Sequence, residues 1–151
     1  NFIKENQQYN YIIAPHELLK IQQLQKWTNG LLFSDANEQN IHNSNVLIID
    51  SIGLLSSIYQ YGNITYIGGG FGVGIHNILE AVTFGMPVIF GPNYQKFKEA
   101  KELINQKGAI SISNYQELSL AIDYFNTFDK AIAINFIANG SGATEIILEK
   151  I

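Results

Sequence analysis

The sequence contains no cysteine and no arginine, and it has no long apolar run. The absence of cysteine excludes disulfides, thiolate zinc sites and cysteine nucleophiles. All nine basic residues are lysine and the net charge is −4. A nucleic-acid-binding protein normally carries a basic stripe, often with arginine, so we expect no nucleic-acid partner. No run approaches the roughly 20 apolar residues that cross a bilayer, so we expect the segment to be soluble.

The length and composition of the chain are those of a globular protein. With 151 residues, 46% hydrophobic and 15% charged, the chain can bury a core as a single domain over residues 1–151. The sequence begins with Asn1 rather than Met, and no signal-like leader follows. We therefore expect a piece of a longer protein.

Short apolar runs alternate with helical patterns along the whole chain. The predicted strands are residues 11–14, 31–33, 46–49, 64–67, 87–90 and 109–112. The predicted helices are residues 17–27, 54–61, 76–85, 96–106, 115–125 and, with a break at 139–142, 129–151. Strands that are apolar on both faces and separated by helices form parallel sheets covered on both sides. The pattern predicts an α/β fold with a doubly wound, Rossmann-like parallel sheet.

The aromatic side chains follow the same periodicities. Trp27 lies on the apolar face of the helix predicted at residues 17–27, and residues 34–45 show no apolar period. We expect Trp27 to pack in the core and residues 34–45 to form a loop.

Ligands of such sheets bind outside the carboxyl ends of the strands. The unusual segments of this sequence lie there: Pro15-His16, residues 50–53, residues 68–74 and residues 91–93. Five glycines within residues 68–74 would let backbone approach a ligand closely, and a helix start beyond them would offer N–H groups to phosphate. A flexible turn is the alternative. The spacing matches neither the dinucleotide nor the P-loop glycine motif, which weakens both of those interpretations.

Three polar residues open the helix predicted after the glycines. His76, Asn77 and Glu80 share one helical side at the spacings i, i+3 and i, i+4. The Glu80 carboxylate can accept two hydrogen bonds from a ribose diol, and Asn77 can donate to a phosphate or carboxylate. The alternative is structural: helix capping by His76 and dipole complementation by Glu80.

Residues 68–71 with 74–81 resemble the pattern G-G-[ST]-[FL] … G-G-H-N-x-L-E of 3-deoxy-D-manno-octulosonic acid (Kdo) transferases. Residues 85–92 with Phe97 resemble that family's G-x-P-V-x-x-G-P … F segment. Four further segments are similar to the family: residues 12–16 (P-R-H after an apolar strand), residues 50–55 with Tyr59 (D-[TS]-x-G-E-[LM] … L-Y), residues 108–109 and residues 139–143. All of these segments occur along the chain in the family's order.

The resemblance implies the C-terminal, donor-binding half of a two-domain (GT-B) glycosyltransferase. Such an enzyme moves Kdo from CMP-Kdo to a lipid A precursor in lipopolysaccharide biosynthesis, without a metal or another cofactor. The catalytic carboxylate, the acceptor site and any membrane contact would lie in the N-terminal domain, at the cytoplasmic face of the bacterial inner membrane. We therefore expect no catalytic residue in this chain and no activity from the chain alone.

Strand-end position and resemblance together predict one set of donor-binding residues. The predicted CMP-Kdo site comprises Pro15, His16, Ser51, Ile52, Gly53, Leu54, Gly69, Gly70, Gly74, His76, Asn77 and Glu80. The resemblance assigns Glu80 to the ribose and Asn77 to the CMP portion.

The chain departs from the family pattern at three places. The arginine expected after Pro15 is missing, Leu54 replaces a glutamate, and Ile75 replaces a glycine in a loop about one residue shorter. Two alternatives stay open. One is a GT-B enzyme that uses a UDP-sugar or another nucleotide-sugar. The other is a non-catalytic binding module on a Rossmann-like scaffold, in which His76, Asn77 and Glu80 are structural.

Overall fold

The computed structural model describes residues 1–140, which belong to two compact units: residues 1–57 and the chain from Ile58 onward. Each unit contains a three-stranded parallel sheet with helices beside it. The predicted α/β class with parallel strands is confirmed. The strands predicted as one sheet form two sheets within the described residues, because β1, β2 and β3 pair among themselves and β4, β5 and β6 do likewise.

The sheet of the first unit has β3 at its centre, with β1 and β2 on its two sides. Its strands are β1 (Tyr11–Ile13), β2 (Leu31–Leu32) and β3 (Val46–Ile48). Its α-helices are α1 (Phe2–Glu5), α2 (Ile21–Thr28) and the start of α3 (Leu55–Ile58), and 3-10 turns cover Leu18–Lys20, Phe33–Asp35 and Ile41–Asn43.

The core of the first unit is centred on the middle strand, where Val46, Ile48 and Ile49 are buried. The prediction that β1 is covered on both faces is wrong, because Ile12 is 42% exposed on this edge strand. Trp27 is 57% exposed, so its predicted core position is also wrong. It lies near the end of α2 and lines a surface groove.

The second unit has the strand order β4-β5-β6. Its strands are β4 (Thr65–Ile67), β5 (Val88–Phe90) and β6 (Ala109–Ser111). Its α-helices are α4 (Leu79–Thr83), α5 (Lys98–Asn105), α6 (Tyr115–Phe125) and α7 (Lys130–Gly140), and a 3-10 turn covers Tyr59–Tyr61. The predicted helix over residues 141–151 lies outside the described residues.

The central strand β5 is buried on both faces, as its apolar run predicts. Val88 and Phe90 belong to one hydrophobic cluster, with Leu103 of α5. Ile89 points the other way and packs in a second cluster with Phe125 of α6. Because both faces of β5 are covered, the loop that follows it leaves a firmly packed strand, whereas β4 exposes Tyr66.

Candidate functional site

The chain forms a hydrogen-bonded turn directly after β4. The N–H groups of Gly72 and Gly74 donate to the Gly69 carbonyl at 2.8 and 3.3 Å, and the His76 N–H donates to the Gly68 carbonyl at 3.2 Å. Gly69 has φ of +85°, and a Cβ there would overlap the Gly74 carbonyl oxygen. The turn therefore needs glycine for its own geometry, and three of its N–H groups already have partners.

The loop after β5 packs against this glycine turn. A Cβ added to Gly70 would lie 2.6 Å from the Gly91 nitrogen, so the two backbones are in direct contact. The Asn93 N–H donates to the Gly70 carbonyl at 2.9 Å, and its side-chain amide donates to the Gly72 carbonyl at 2.7 Å. At Gly70, the space left by the missing side chain is therefore occupied by the backbone of Gly91. Contact of Gly69, Gly70 and Gly74 with a ligand stays a prediction.

The helix that follows begins later than predicted. α4 starts at Leu79, so residues 76–78 precede it, and the predicted helical side shared by His76, Asn77 and Glu80 is wrong. The Asn77 side-chain carbonyl accepts the Leu79 N–H at 3.0 Å, a local bond that competes with helix formation. The same side chain donates from Nδ2 to Glu80 Oε1 at 2.9 Å. Asn77 and Glu80 are therefore in contact, through a hydrogen bond instead of a shared helical face.

The Glu80 carboxylate lies beside a buried aromatic residue. The pKa of Tyr59 is raised, mainly because burial disfavours the phenolate and in addition because the Glu80 charge is close. The Tyr59 ring stacks at a tilt on Phe84, with 6.3 Å between centroids. Glu80 is half-buried, while Asn77 and His76 are exposed. An oriented carboxylate with an apolar base can accept hydrogen bonds from a diol, and an exposed amide can donate one to an anion.

In the first unit, the predicted residues after β3 follow a hydrogen-bonded aspartate. Asp50 accepts a hydrogen bond from the Ser34 N–H at 3.0 Å and a short one from the Ser34 hydroxyl. The Ser34 hydroxyl is the main reason that the pKa of Asp50 is lowered. Ser51, Ile52 and Gly53 then form an exposed bend that ends at half-buried Leu54. Gly53 has φ of +90°, and no other group lies within 4 Å of where its Cβ would be.

Sequence reasoning missed Ser34, because it assigned residues 34–45 to a loop on the absence of an apolar period. The available signal was its position shortly after β2, at the carboxyl edge where Asp50 also lies. Ile13 of β1 pairs with Ile48 of β3 in parallel register, so Pro15 and Ser51 leave the same edge of the first sheet. Likewise Ile67 pairs with Phe90, so the glycine turn and Gly91 leave the same edge of the second.

Pro15 and His16 line a surface groove of about 340 Å³. Its other walls come from the 3-10 turn after β1 and from α2, and they include Lys20, Leu24 and Trp27. Sequence reasoning did not include Lys20 or Trp27 in the site. Their helical spacing from His16 and from each other was the available signal.

The described residues contain neither a grouped set of metal ligands nor a membrane-spanning helix. Across residues 1–140 no three His, Asp or Glu side chains are grouped as a metal would require. In the same residues no helix combines the length and hydropathy of a membrane span.

The fold defines the class of protein to which this chain is similar. A solved structure, the C-terminal CMP-Kdo binding domain of WaaA from Acinetobacter baumannii, superposes with a TM-score of 0.63. The match covers 97% of this chain and 94% of that one, at 16% sequence identity. The chain therefore has the Rossmann-like α/β fold of the C-terminal half of a GT-B glycosyltransferase.

Similar sequences indicate the family to which this chain is related. The chain is 29% identical over 125 residues to the 3-deoxy-D-manno-octulosonic acid transferase of Aquifex aeolicus, an alignment covering 82% of this chain and 35% of that protein. It is 35% identical over 89 residues to the transferase of the same name from Rickettsia bellii, covering 58% and 21%. A bifunctional glycosyltransferase/methyltransferase of Fusobacterium nucleatum is 31% identical over 128 residues, covering 80% and 20%.

These relatives confirm the resemblance that the sequence motifs indicated, because the chain is related to the Kdo transferases. It spans between a fifth and about a third of the length of these three curated relatives. No family model matches the sequence.

Proposed function

We propose that this chain is the donor-binding part of a glycosyltransferase that moves Kdo from CMP-Kdo to a lipid A precursor. The observation that carries the proposal is the hydrogen-bonded pair of Asn77 and Glu80, held beside the glycine turn at the carboxyl edge of β4. Support also comes from the relatives named Kdo transferase and from the solved domain whose name states CMP-Kdo binding.

In this proposal, Glu80 accepts hydrogen bonds from the two ribose hydroxyls of the donor. Asn77 orients that carboxylate by donating to one of its oxygens, and its exposed position leaves the amide accessible to the CMP portion. His76 and the glycines at 69, 70 and 74 form the wall beside this pair. Within the first unit, the proposed donor contacts are Pro15, His16, Ser51, Ile52, Gly53 and Leu54.

The transfer itself involves groups outside this chain. An acceptor hydroxyl of the lipid A precursor gives its proton to a carboxylate in the N-terminal domain and attacks the anomeric carbon of Kdo. The bond from that carbon to the phosphate oxygen breaks, CMP leaves with the electron pair, and the anomeric configuration is inverted. No metal or other cofactor takes part. The acceptor and the cytoplasmic face of the inner membrane are contacted by the N-terminal domain, so the chain alone transfers no sugar.

The test is a calorimetric titration of the chain with CMP, comparing Glu80→Ala with Glu99→Ala. Glu99 lies in α5 of the same unit, so its removal changes net charge equally without touching the Asn77–Glu80 pair. We expect Glu80→Ala to lose about 1–3 kcal/mol of binding, or roughly 5- to 150-fold in affinity, through lost charge-assisted hydrogen bonds. Glu99→Ala should bind as the native chain does.

Two results would count against the proposal. Equal affinity of Glu80→Ala and native chain for CMP contradicts the ribose role of Glu80. Tighter binding of UMP or UDP than of CMP favours a GT-B enzyme that uses a UDP-sugar. Thermal unfolding of each variant checks folding, and we expect only a small change because a single hydrogen bond such as that from Asn77 to Glu80 contributes about 0.5–1.5 kcal/mol.

A further inference from the structure

The groove beside Pro15 and His16 contains a large aromatic ring that the proposed function does not use. Trp27 is the one tryptophan of the sequence, and it is 57% exposed. An indole normally adds to stability by burying most of its 150–250 Å² of surface. Here more than half of the side chain stays exposed, and the ring lines the groove. Such a ring suits the apolar face of a sugar or a nucleobase.

The same groove contains a cation. Among residues 1–57, Lys20 is the lysine that lines it; Lys4 and Lys26 do not. The Lys20 ammonium lies 3.0 Å from the Glu17 carboxylate, and the two side chains are 60% and 56% exposed. A salt bridge this exposed is weak, so a bound anion can compete with Glu17 for the ammonium. In a chain with net charge −4 and no arginine, this placement of a lysine supplies the positive charge that an anionic ligand needs.

We propose that this groove binds the sugar-nucleotide donor, with Lys20 pairing with the donor phosphate and Trp27 packing on an apolar face of the ligand. This inference rests on the proposed function, because the donor supplies the phosphate. It adds two donor contacts, Lys20 and Trp27, and it assigns Glu17 an opposing role. The Glu17 carboxylate holds the ammonium in the unbound chain and repels the phosphate.

The single tryptophan makes the groove directly observable. CMP should change the Trp27 emission saturably and protect the ring from quenching by acrylamide, a neutral quencher that does not compete for Lys20. Lys20→Gln should weaken CMP binding about tenfold, as expected for a lost charge-assisted contact. Glu17→Gln should strengthen CMP binding severalfold, because it releases the ammonium. Lys26→Gln, an equal charge change in the adjoining helix α2 but outside the groove, should leave binding unchanged.

Cytidine, which lacks the phosphate, separates the charge effect from packing. Its affinity should be the same for the native chain and for Lys20→Gln. If Lys20→Gln weakens cytidine as much as CMP, the phosphate contact is wrong.

The failure of this inference is distinguishable from the failure of the proposed function. If calorimetry detects no binding of CMP to the native chain, both are wrong. If CMP binds and depends on Glu80, but Trp27 emission and the Lys20→Gln affinity do not change, the groove proposal alone is overturned.

Discussion

Gly70→Ala should destabilise the chain because two backbones meet at this position. The added Cβ would lie 2.6 Å from the Gly91 nitrogen, 2.8 Å from its Cα and 3.0 Å from its carbonyl carbon. All three are backbone atoms, so no side-chain rotation can relieve the overlap. The glycine turn must move away from the loop after β5, and this movement strains the 2.9 Å bond from the Asn93 N–H to the Gly70 carbonyl.

The expected cost of Gly70→Ala combines two contributions. Overpacking of this kind costs about 1–3 kcal/mol, and loss of a hydrogen bond costs about 1 kcal/mol. The free energy of unfolding should therefore fall by roughly 2–4 kcal/mol. At about 2–4 °C per kcal/mol for a chain of this size, the unfolding temperature should fall by roughly 4–16 °C.

The matched control is Gly72→Ala in the same turn. At Gly72 the nearest heavy atom to an added Cβ is the Gly69 carbonyl oxygen at 3.5 Å, an ordinary contact. Its unfolding temperature should change by no more than about 2 °C, which corresponds to about 0.5 kcal/mol. Thermal unfolding followed by circular dichroism compares the two variants. If Gly70→Ala unfolds at the same temperature as Gly72→Ala, the backbone contact does not constrain the turn.

Three further predictions concern other contacts. Because the pKa of Asp50 is lowered in the folded chain, its hydrogen bonds from Ser34 stabilise the fold fully above the ordinary carboxyl pKa of 3.8, and this stabilisation is lost as the pH falls through the lower folded pKa. The difference in unfolding temperature between the native chain and Ser34→Ala should therefore become smaller as the pH is lowered through this range. A difference that stays constant with pH would contradict the prediction. Asn93→Ala loses the bond to the Gly72 carbonyl and should cost about 0.5–1.5 kcal/mol in chemical denaturation; no change would show that the bond is not needed. Phe90→Ala empties a fully buried site and should cost about 3–5 kcal/mol by the same measurement, with a cost near zero refuting the packing.

The strands could be predicted from the sequence because each is a short apolar run followed by glycine, proline or polar residues. Within residues 1–140, each of the six strands lies within one residue of the predicted bounds. How well each strand is covered could not be predicted in the same way. β5 is buried on both faces, whereas β1, with an equally apolar run, exposes Ile12. Coverage depends on which elements pack against a strand, and that information is not local to its residues.

The helices show the same division between local and tertiary information. α6 has the bounds that its periodicity predicts, residues 115–125. α4 is shorter than predicted because Asn77 binds the Leu79 N–H, a choice between two local hydrogen bonds that periodicity does not reveal. The Ser34–Asp50 contact joins residues 16 positions apart, so no local pattern could have found it.

The glycine cluster can be explained in two ways that the sequence alone cannot separate. A turn that admits a ligand and a turn that packs on another backbone both require the absence of Cβ. The coordinates distinguish the two at single positions. At Gly70 the space is filled by Gly91, whereas at Gly53 the space is open, φ is +90° and the residue is exposed. The cluster after β4 therefore acts first on its own fold, fixing the point from which the chain enters the Asn77–Glu80 pair. That these glycines also contact a ligand stays a prediction.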